Sequence, residues 1–203
     1  MSTSVRGSGG PWPAYLEEPL ALFDGVEVLL TDLHPNPETF DRIEKRTDGR
    51  AVGCDDSIDA TNVPSHLEGP RTIINGFHHF EPEGARAILA DAVEQGERIG
   101  IFEIMERRLT AILPLVLIPL FVFLLTPLVR PLRWGRFVWT YLLPVIPLMI
   151  FWDGLVSALR VYSPDELRDL VEDYEGYDWQ IGTAPAGEKG PQRITYLIGK
   201  PEQ

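Results

Sequence analysis

Short apolar runs of strand length alternate with helical stretches through the first half of the chain, and this alternation limits the folds open to it. The predicted strands are VEVLLT (26–31), AVGC (51–54), RTIINGF (71–77) and RIGIFEI (98–104). The predicted helices cover residues 12–23, 37–46 and 81–96. Strands and helices that alternate across short connections indicate an α/β fold with a parallel sheet.

The C-terminal part breaks this alternation. SPDELRDLVED (163–173) predicts a helix, because Ser163 is a favourable N-cap and Pro164 suits the first helical position. Two strands, residues 177–183 and 192–199, then follow each other directly. We therefore expect a mostly parallel sheet that ends in an antiparallel β-hairpin.

A glycine cluster at residues 7–10 is followed by an acid, Asp32, 22 residues after Gly10. In doubly wound sheets a glycine turn lets the backbone approach a cofactor, and an acid at the end of the second strand accepts from ribose hydroxyls. The spacing suits a nicotinamide cofactor and S-adenosylmethionine equally well. In the alternative interpretation, the glycines belong to a plain loop and Asp32 caps a turn.

Several motifs, in this order, resemble those of the class I S-adenosylmethionine-dependent methyltransferases. RGSGGPW resembles their glycine-rich first motif, LTDLHPN the acidic end of the second strand, DATNVP the loop after the third, and RTIINGFHHFEP the fourth strand with its active-site loop. WTYLLPVIPLMIFWDGLVSALRVYSPDEL is similar to a stretch of one bacterial branch of the family. The resemblance implies a Rossmann-like sheet of seven strands, the last inserted antiparallel beside the fifth, and S-adenosyl-L-methionine as cofactor.

The resemblance also implies roles for individual residues. Those beside the cofactor would be Gly7, Ser8, Gly9, Gly10, Asp32, Leu33, Asp59 and Ala60. Asp32 would accept from the ribose hydroxyls and Asp59 from the adenine amino group. The residues expected around the substrate are Asn75, Phe77, His78 and His79, with Tyr141 and Asp153 as further pocket candidates.

His78 and His79 raise the question of a general base or a metal site. Adjacent residues at the end of an extended strand point in opposite directions, so the pair rarely binds one ion. Neither His34 nor His66 supplies a ligand at the usual spacing, and we predict no metal site. A neutral histidine can take a proton from a nucleophile, which makes His78 the candidate base. The alternative for both histidines is a hydrogen-bonded structural role.

Very little chain precedes the glycine cluster. Residues 2–6 contain one apolar side chain, Val5, whereas a central strand buried on both faces needs a near-continuous apolar run. Without that strand, the inner edges of 26–31 and 71–77 would stay unpaired, at a cost of about 1–3 kcal/mol for each buried backbone group. We therefore expect an N-terminally truncated enzyme, with a first strand that is missing or very short and with poor cofactor binding.

Residues 108–161 form an expected hydrophobic helical insertion, called the apolar insertion below. Residues 109–129 are 21 residues without a charge, long enough to span a hydrocarbon core of about 30 Å, and residues 137–152 add a second apolar run. Two arrangements fit this pattern. Either both runs form a transmembrane hairpin, or the first run is an in-plane or re-entrant anchor, broken by Pro114 and Pro119, and the second packs onto the enzyme body. A chain this small can hardly cover both runs with protein, so we expect membrane association.

The charges are distributed unevenly between the insertion and the body. The net charge is −12; residues 109–160 carry four arginines and one acid, or +3, which leaves −15 for the remainder. A body this acidic repels phosphate backbones, so we expect no nucleic-acid partner. The one acid of the insertion, Asp153, is expected to pair with Arg160 or to face a polar pocket.

These observations together predict a domain organisation and a function. Residues 1–107 form the cofactor-binding part, 108–161 the membrane-associated insertion, and 162–203 a helix and hairpin that complete the first domain. The single Cys54 and the lack of a signal peptide place the catalytic body in the cytoplasm. The expected function is methyl transfer from S-adenosylmethionine to a small or lipophilic acceptor at the membrane. The alternatives are a non-catalytic membrane-bound protein of the same fold and an NAD-dependent oxidoreductase, which the terminal hairpin disfavours.

Overall fold

A seven-stranded sheet organises the part of the chain that the computed structural model describes, residues 2–4, 27–104, 107, 113–186 and 193–202. The strands are β1 (Ser2–Ser4), β2 (Val28–Asp32), β3 (Ala51–Ser57), β4 (Arg71–Ile74), β5 (Ile99–Glu103), β6 (Tyr177–Pro185) and β7 (Arg193–Pro201). Their order in the sheet is β3-β2-β1-β4-β5-β7-β6. Strands from both ends of the sequence therefore share one sheet.

The strand directions match the expected topology. Strands β1 to β5 are parallel, whereas β7 runs antiparallel to both of its neighbours, β5 and β6. In this register Glu103, the last residue of β5, lies opposite Thr195 of β7. The C-terminal hairpin and the insertion of the last strand beside the fifth are as predicted.

The helices of the described residues lie between these strands. They are α1 (Pro37–Arg46), α2 (Pro82–Glu94), α3 (Ile118–Leu125), α4 (Trp134–Phe137), α5 (Val145–Arg160) and α6 (Pro164–Val171). Shorter helical turns cover Phe77–His79, Leu113–Leu117, Thr126–Leu128 and Val138–Leu142. α1 begins where predicted, because the Asn36 side chain accepts from the Thr39 amide. α6 begins with a capping box between Ser163 and Glu166.

Two clusters of buried apolar side chains hold the helices on the sheet. The larger cluster joins β4, β5 and β7 to α2 and α6, with Phe77, Leu89 and Leu197 fully buried. The smaller joins β2 and β3 to α1 and contains Phe40. Gly53 is required here, since a Cβ at this position of β3 would lie 2.2 Å from the Phe40 ring.

The first strand differs from the expectation. Ser2–Ser4 is very short, as predicted, yet it pairs in parallel with Leu29–Thr31 on one side and with Arg71 and Thr72 on the other. The prediction of a missing strand with two unpaired inner edges is therefore wrong at these positions. Strand pairing uses the backbone N–H and C=O groups, which polar residues also carry, so the polar sequence of Ser2–Ser4 does not prevent its pairing. The predicted helix at 12–23 lies outside the described residues.

The apolar insertion is described from residue 113 to 161, and it is helical over Leu113–Leu128, Trp134–Leu142 and Val145–Arg160. α3 packs against α5 at Gly154, where a Cβ would lie 3.8 Å from the side chains of Leu115 and Ile118. The Tyr141 hydroxyl donates to the Phe123 carbonyl at 2.5 Å, and this contact ties the turn before α5 to α3. The insertion is thus an internally packed helical unit.

The length of these helices bears on the expected transmembrane hairpin. Within the described ranges, no single helix is both long and apolar enough to cross a bilayer. One pair of helical segments, Trp134–Leu142 and Val145–Arg160, reaches that length and apolarity together, with a bend of 73° between them.

A buried ion pair connects α2 to β4. Arg71 is 6% exposed and Asp91 12% exposed, and the two side chains are in direct contact. Asp91 also accepts from the Gln95 amide at 3.1 Å and from the Val63 amide at 3.3 Å. Two nitrogen atoms of Arg71, Nε and Nη2, are buried without a partner. The Arg71 guanidinium therefore depends on Asp91 for its compensation.

We expect Asp91→Ala to lower the free energy of unfolding by about 3–5 kcal/mol, because it leaves a buried guanidinium uncompensated. The control is Asp173→Ala, which removes an exposed pair with Arg86 and should cost about 0–1 kcal/mol. Urea unfolding of both variants measures the difference. Equal losses would contradict the assignment of Arg71 and Asp91 as a buried pair.

Candidate active site

The carboxyl ends of the parallel strands meet at one edge of the sheet, which is where doubly wound folds bind their ligands. Asp32 ends β2, Ser57 ends β3, Ile74 ends β4 and Glu103 ends β5. Several residues predicted to form a site follow directly on these strand ends. We call this region the carboxyl edge.

Asp32 is a buried carboxylate at the carboxyl edge, 7% exposed. Its Oδ1 accepts from the His34 amide at 2.8 Å, and its carbonyl accepts from the Ile58 amide at 3.0 Å. These contacts fix the orientation of the side chain and tie β2 to the loop after β3. A carboxylate has about four acceptor positions.

Leu33, Asp59 and Ala60 lie on the loops next to Asp32. The Leu33 carbonyl accepts from the Ser57 hydroxyl at 2.5 Å, which holds the two loops side by side. Asp59 is exposed, and its Oδ1 accepts from the amide and the hydroxyl of Thr61 at 2.9 and 2.8 Å. Ala60 packs on the larger core cluster. The structure therefore brings these three predicted residues to the edge that carries Asp32.

Asn75 changes the direction of the chain after β4. Its φ is +50°, a left-handed conformation that asparagine tolerates better than most residues, and its amide donates to the Phe102 carbonyl at 2.7 Å. Its side-chain Oδ1 is buried and has no hydrogen-bond partner. The predicted strand 71–77 ends early because of this residue. A buried acceptor without a partner is uncommon and marks a place where a ligand donor would fit.

Glu103 organises the turn that follows Asn75, and sequence reasoning missed it. The side chain is 2% exposed. Its Oε1 accepts from the Phe77 amide at 2.7 Å and from the His78 amide at 3.1 Å, while Oε2 lies 2.8 Å from Nδ1 of His78. One carboxylate from β5 thereby fixes the turn Phe77–His79. One signal in the sequence pointed to this role, which is that Glu103 lies at the end of the predicted strand that follows the fourth strand of the sheet.

The two histidines differ in accessibility. His78 is 3% exposed, whereas His79 is exposed. Their rings lie 4.3 Å apart between centroids, because both residues belong to a helical turn rather than to an extended strand end. The expectation that they point in opposite directions is therefore wrong. When Glu103 is ionised it only accepts hydrogen bonds, so Nδ1 of His78 is then the donor to Oε2, and Nε2 is the ring nitrogen outside this contact.

A cavity of about 440 Å³ adjoins the turn at the carboxyl edge of β5 and β6. Its lining combines cationic, hydroxyl and apolar groups: Arg107, Val161, Tyr162, Ser163, Pro164, Thr183, Arg193 and Thr195. The Tyr162 hydroxyl donates to the Phe80 carbonyl at 2.8 Å, and the Tyr162 and Phe77 rings lie 5.4 Å apart. Tyr162 thus connects the cavity to the turn.

Charges around the cavity act on two ionisable side chains. Burial, together with the charges of Glu166 and Glu81, raises the pKa of Tyr162 above its usual 10.0, so the hydroxyl stays protonated and continues to donate. Burial alone would raise the pKa of Glu166, but hydrogen bonds from Ser163 and Arg107 outweigh it and leave this pKa below its usual 4.5. Arg107 therefore faces an ionised partner at neutral pH.

Other predicted site residues lie elsewhere. Gly7, Ser8, Gly9 and Gly10 are outside the described residues. Tyr141 packs on Phe123 and Phe137 within the apolar insertion and does not line the cavity at Tyr162. Asp153 is exposed on α5, and in the described structure it forms no ion pair with Arg160, contrary to expectation. The described residues contain no group of three or more His, Cys, Asp or Glu side chains that could hold a metal ion.

Known proteins share this sheet. No protein-family model and no curated protein matches the chain. An O-methyltransferase from neocarzinostatin biosynthesis, in complex with S-adenosyl-L-homocysteine and 1,4-dihydroxy-2-naphthoic acid, has a TM-score of 0.57 at 14% identity, over 98% of this chain and 49% of that one. Human N-acetylserotonin methyltransferase in complex with SAM has a TM-score of 0.52 at 12% identity, over 99% and 48%. A putative Zn-dependent alcohol dehydrogenase from Rhodobacter sphaeroides has a TM-score of 0.55 at 13% identity, over 100% and 84%.

These similarities establish the fold and not the activity. The chain has the methyltransferase fold, and it spans about half the length of the methyltransferases that it matches. The antiparallel β7 beside β5 distinguishes this sheet from a wholly parallel dinucleotide-binding sheet.

S-adenosylmethionine fits the residues at the carboxyl edge. Asp32 supplies a buried carboxylate where the fold places ribose hydroxyls, and the buried Oδ1 of Asn75 lacks a donor. Both are acceptors, and the cofactor carries hydroxyl and amino donors. The described residues are therefore compatible with this cofactor.

Glu103→Ala should destabilise the chain, because the amides of Phe77 and His78 and the His78 ring all lose their acceptor. Each buried donor left unpaired costs about 1–3 kcal/mol. Glu103→Gln is the matched control, since its remaining oxygen can still accept from the two amides. Urea unfolding should rank the stabilities as wild type, then Gln, then Ala. Three indistinguishable unfolding curves would show that Glu103 does not hold the turn.

Proposed function

We propose that this chain transfers a methyl group from S-adenosylmethionine to a small or lipophilic acceptor at the carboxyl edge. The observation that carries the proposal is the buried carboxylate of Asp32 at the end of β2, in a sheet whose β7 runs antiparallel beside β5. The unpartnered Oδ1 of Asn75 at the same edge supports it.

The cofactor would occupy the ends of β1 to β4. Asp32 accepts from the ribose hydroxyls and Leu33 packs on the adenine. Asp59 and Ala60 lie by the adenine edge, where Asp59 accepts from the amino group. By the family resemblance, Gly7, Ser8, Gly9 and Gly10 would line the methionine part. These roles come from the family resemblance, and the described positions of Asp32, Leu33, Asp59 and Ala60 are consistent with them.

Catalysis in this proposal depends chiefly on positioning. Bound S-adenosylmethionine supplies an electrophilic methyl group on a positively charged sulfur. The chain has to align the acceptor with that methyl group, exclude water and accept the acceptor's proton where one is lost. Asn75 forms the floor, whereas Phe77 is fully buried in the larger core cluster and, contrary to expectation, does not face the acceptor. Glu103 holds the His78 ring, whose Nε2 is the candidate base. His79, which is exposed on the same turn, completes the acceptor side.

The cavity at Tyr162 is the proposed acceptor pocket. It adjoins the turn through the contacts of Tyr162 with Phe77 and Phe80, and residues 161–164 connect it to the apolar insertion. Arg107 pairs with Glu166 and Arg193 donates to Thr183, so both cationic side chains of the cavity already have partners. The neighbouring apolar insertion favours a lipophilic acceptor. We propose that the acceptor is met at the membrane, with the catalytic body on the cytoplasmic side.

A second candidate function is an NAD-dependent oxidoreductase, favoured by the fold likeness to the putative alcohol dehydrogenase. A third is a non-catalytic protein of the same fold. Calorimetry with S-adenosylmethionine, S-adenosylhomocysteine and NAD separates them. The methyltransferase proposal requires heat from the first two ligands, whereas heat from NAD alone, or from none of the three, would contradict it.

Asp32→Ala should weaken S-adenosylmethionine binding by about 1.5–3 kcal/mol, roughly ten- to 150-fold, because it removes a charged hydrogen-bond acceptor. The control is Asp41→Ala, which removes an equal charge from an exposed position of α1. Isothermal titration of both variants at neutral pH measures the effect. An unchanged affinity in Asp32→Ala would mean that Asp32 only caps the turn at His34.

A further inference from the structure

The exposed apolar surface of the chain is concentrated in the apolar insertion. Among the described residues, every exposed large hydrophobic side chain except Val52 lies there. Trp134, Trp139 and Trp152 are 88%, 49% and 66% exposed. At about 150–250 Å² for each aromatic side chain, these three alone expose roughly 300–500 Å². The three tryptophans alone therefore approach the largest apolar patch of a typical soluble monomer, about 300–600 Å². The other exposed apolar side chains of the insertion take its apolar surface beyond that size, so this surface marks an interaction site.

The exposed side chains recur at helical spacing and form two apolar stripes. On α3 and its flanking turns the stripe consists of Leu117, Leu120, Phe121, Leu124, Leu125 and Leu128. On α5 it consists of Val145, Leu148, Met149 and Trp152. Spacings of three, four and seven residues place each set on one face of its helix. The packing of α3 on α5 at Gly154 leaves both stripes exposed.

Cationic residues accompany the stripes. The segment between α3 and α5 carries Arg130, Arg133 and Arg136, and Arg160 ends α5; the only acid among residues 113–160 is Asp153. Arg130, Arg133 and Arg160 are exposed. The rest of the sequence has a net charge of −15, so the cationic side chains are concentrated where the apolar stripes are.

We propose that the two apolar stripes dock in the plane of a bilayer that contains anionic lipids. Exposed tryptophans and arginines beside an apolar surface match the interface between headgroups and acyl chains. A second copy of the chain is disfavoured as occupant, because a symmetric interface would bring two +3 insertions together. α3 has eight residues, about 12 Å, so it lies within one leaflet instead of crossing a hydrocarbon core of about 30 Å.

Co-sedimentation of the full chain with phosphatidylcholine vesicles, prepared with and without phosphatidylglycerol, tests this surface without any cofactor. We expect binding that is tighter when phosphatidylglycerol is present. The double variant Leu124→Glu, Trp152→Glu should bind at least tenfold more weakly, since both stripes then carry a charge. The control Val52→Glu, the same kind of change at the exposed position on β3, should bind as wild type does. The double variant Arg130→Gln, Arg133→Gln should lose about fivefold per arginine, and only with anionic vesicles.

Several results would overturn the proposal. One is the absence of vesicle binding by the folded wild-type chain at low salt. In that case, light scattering distinguishes two explanations. A dimer would mean that the stripes bind a second copy of the chain, and a monomer would mean that another part of the same chain covers them. An equal loss in Val52→Glu and in the stripe variant would show that the effect is not specific to the stripes. Because vesicle binding is measured without S-adenosylmethionine, its outcome is independent of whether the chain transfers methyl groups.

Depth-dependent quenching tests the in-plane arrangement. Lipids brominated near the headgroup should quench tryptophan fluorescence more strongly than lipids brominated near the bilayer centre. Stronger quenching at the centre would contradict an in-plane arrangement. Trp134→Phe should remove part of the shallow quenching, because Trp134 is the most exposed of the three tryptophans named above.

Discussion

The carboxylate of Glu103 at the end of β5 holds together the region on which the proposed chemistry depends. It accepts from two backbone amides and faces one imidazole nitrogen, all supplied by a turn 25 and 26 residues earlier in the chain. Without this acceptor, three buried donors would stand unpaired at low dielectric, where an unpaired polar group is costly. Glu103 thereby holds the turn that carries both histidines, and Tyr162 contacts this turn and its end through Phe77 and Phe80.

The sheet explains why Glu103 can do this. β7 enters antiparallel beside β5 and places Thr195 opposite Glu103, so the carboxylate lies inside the sheet and away from an exposed edge. The same arrangement puts the start of β7 and the end of β6 around the cavity at Tyr162. One topological feature therefore buries the anchor of the turn and forms the neighbouring pocket, and the chain that leaves β5 beside this pocket leads into the apolar insertion.

Much of the fold could be predicted from local patterns. The apolar runs located β2 to β7 to within a few residues, the pattern of residues 37–46 located α1, and the N-cap at Ser163 located α6. β1 was misjudged because its pairing uses backbone groups, which side-chain polarity does not report. Asp32 was found because it ends a strand and Asn75 because of the family resemblance, but Glu103 was missed because its partners are distant in sequence. The true arrangement of His78 and His79 likewise depended on a turn that only the contact with β5 specifies.

The proposed function requires that the carboxyl edge bind S-adenosylmethionine between Asp32 and the turn after β4. Hydrogen–deuterium exchange of the full chain, with and without S-adenosylmethionine, tests this directly by locating the ligand on the sequence. If the ligand binds there, we expect slower amide exchange at residues 32–34 after β2, at 58–62 after β3 and at 75–79 in the turn, with α5 unchanged. Unaltered exchange in all three segments, or protection confined to the apolar insertion, would contradict it.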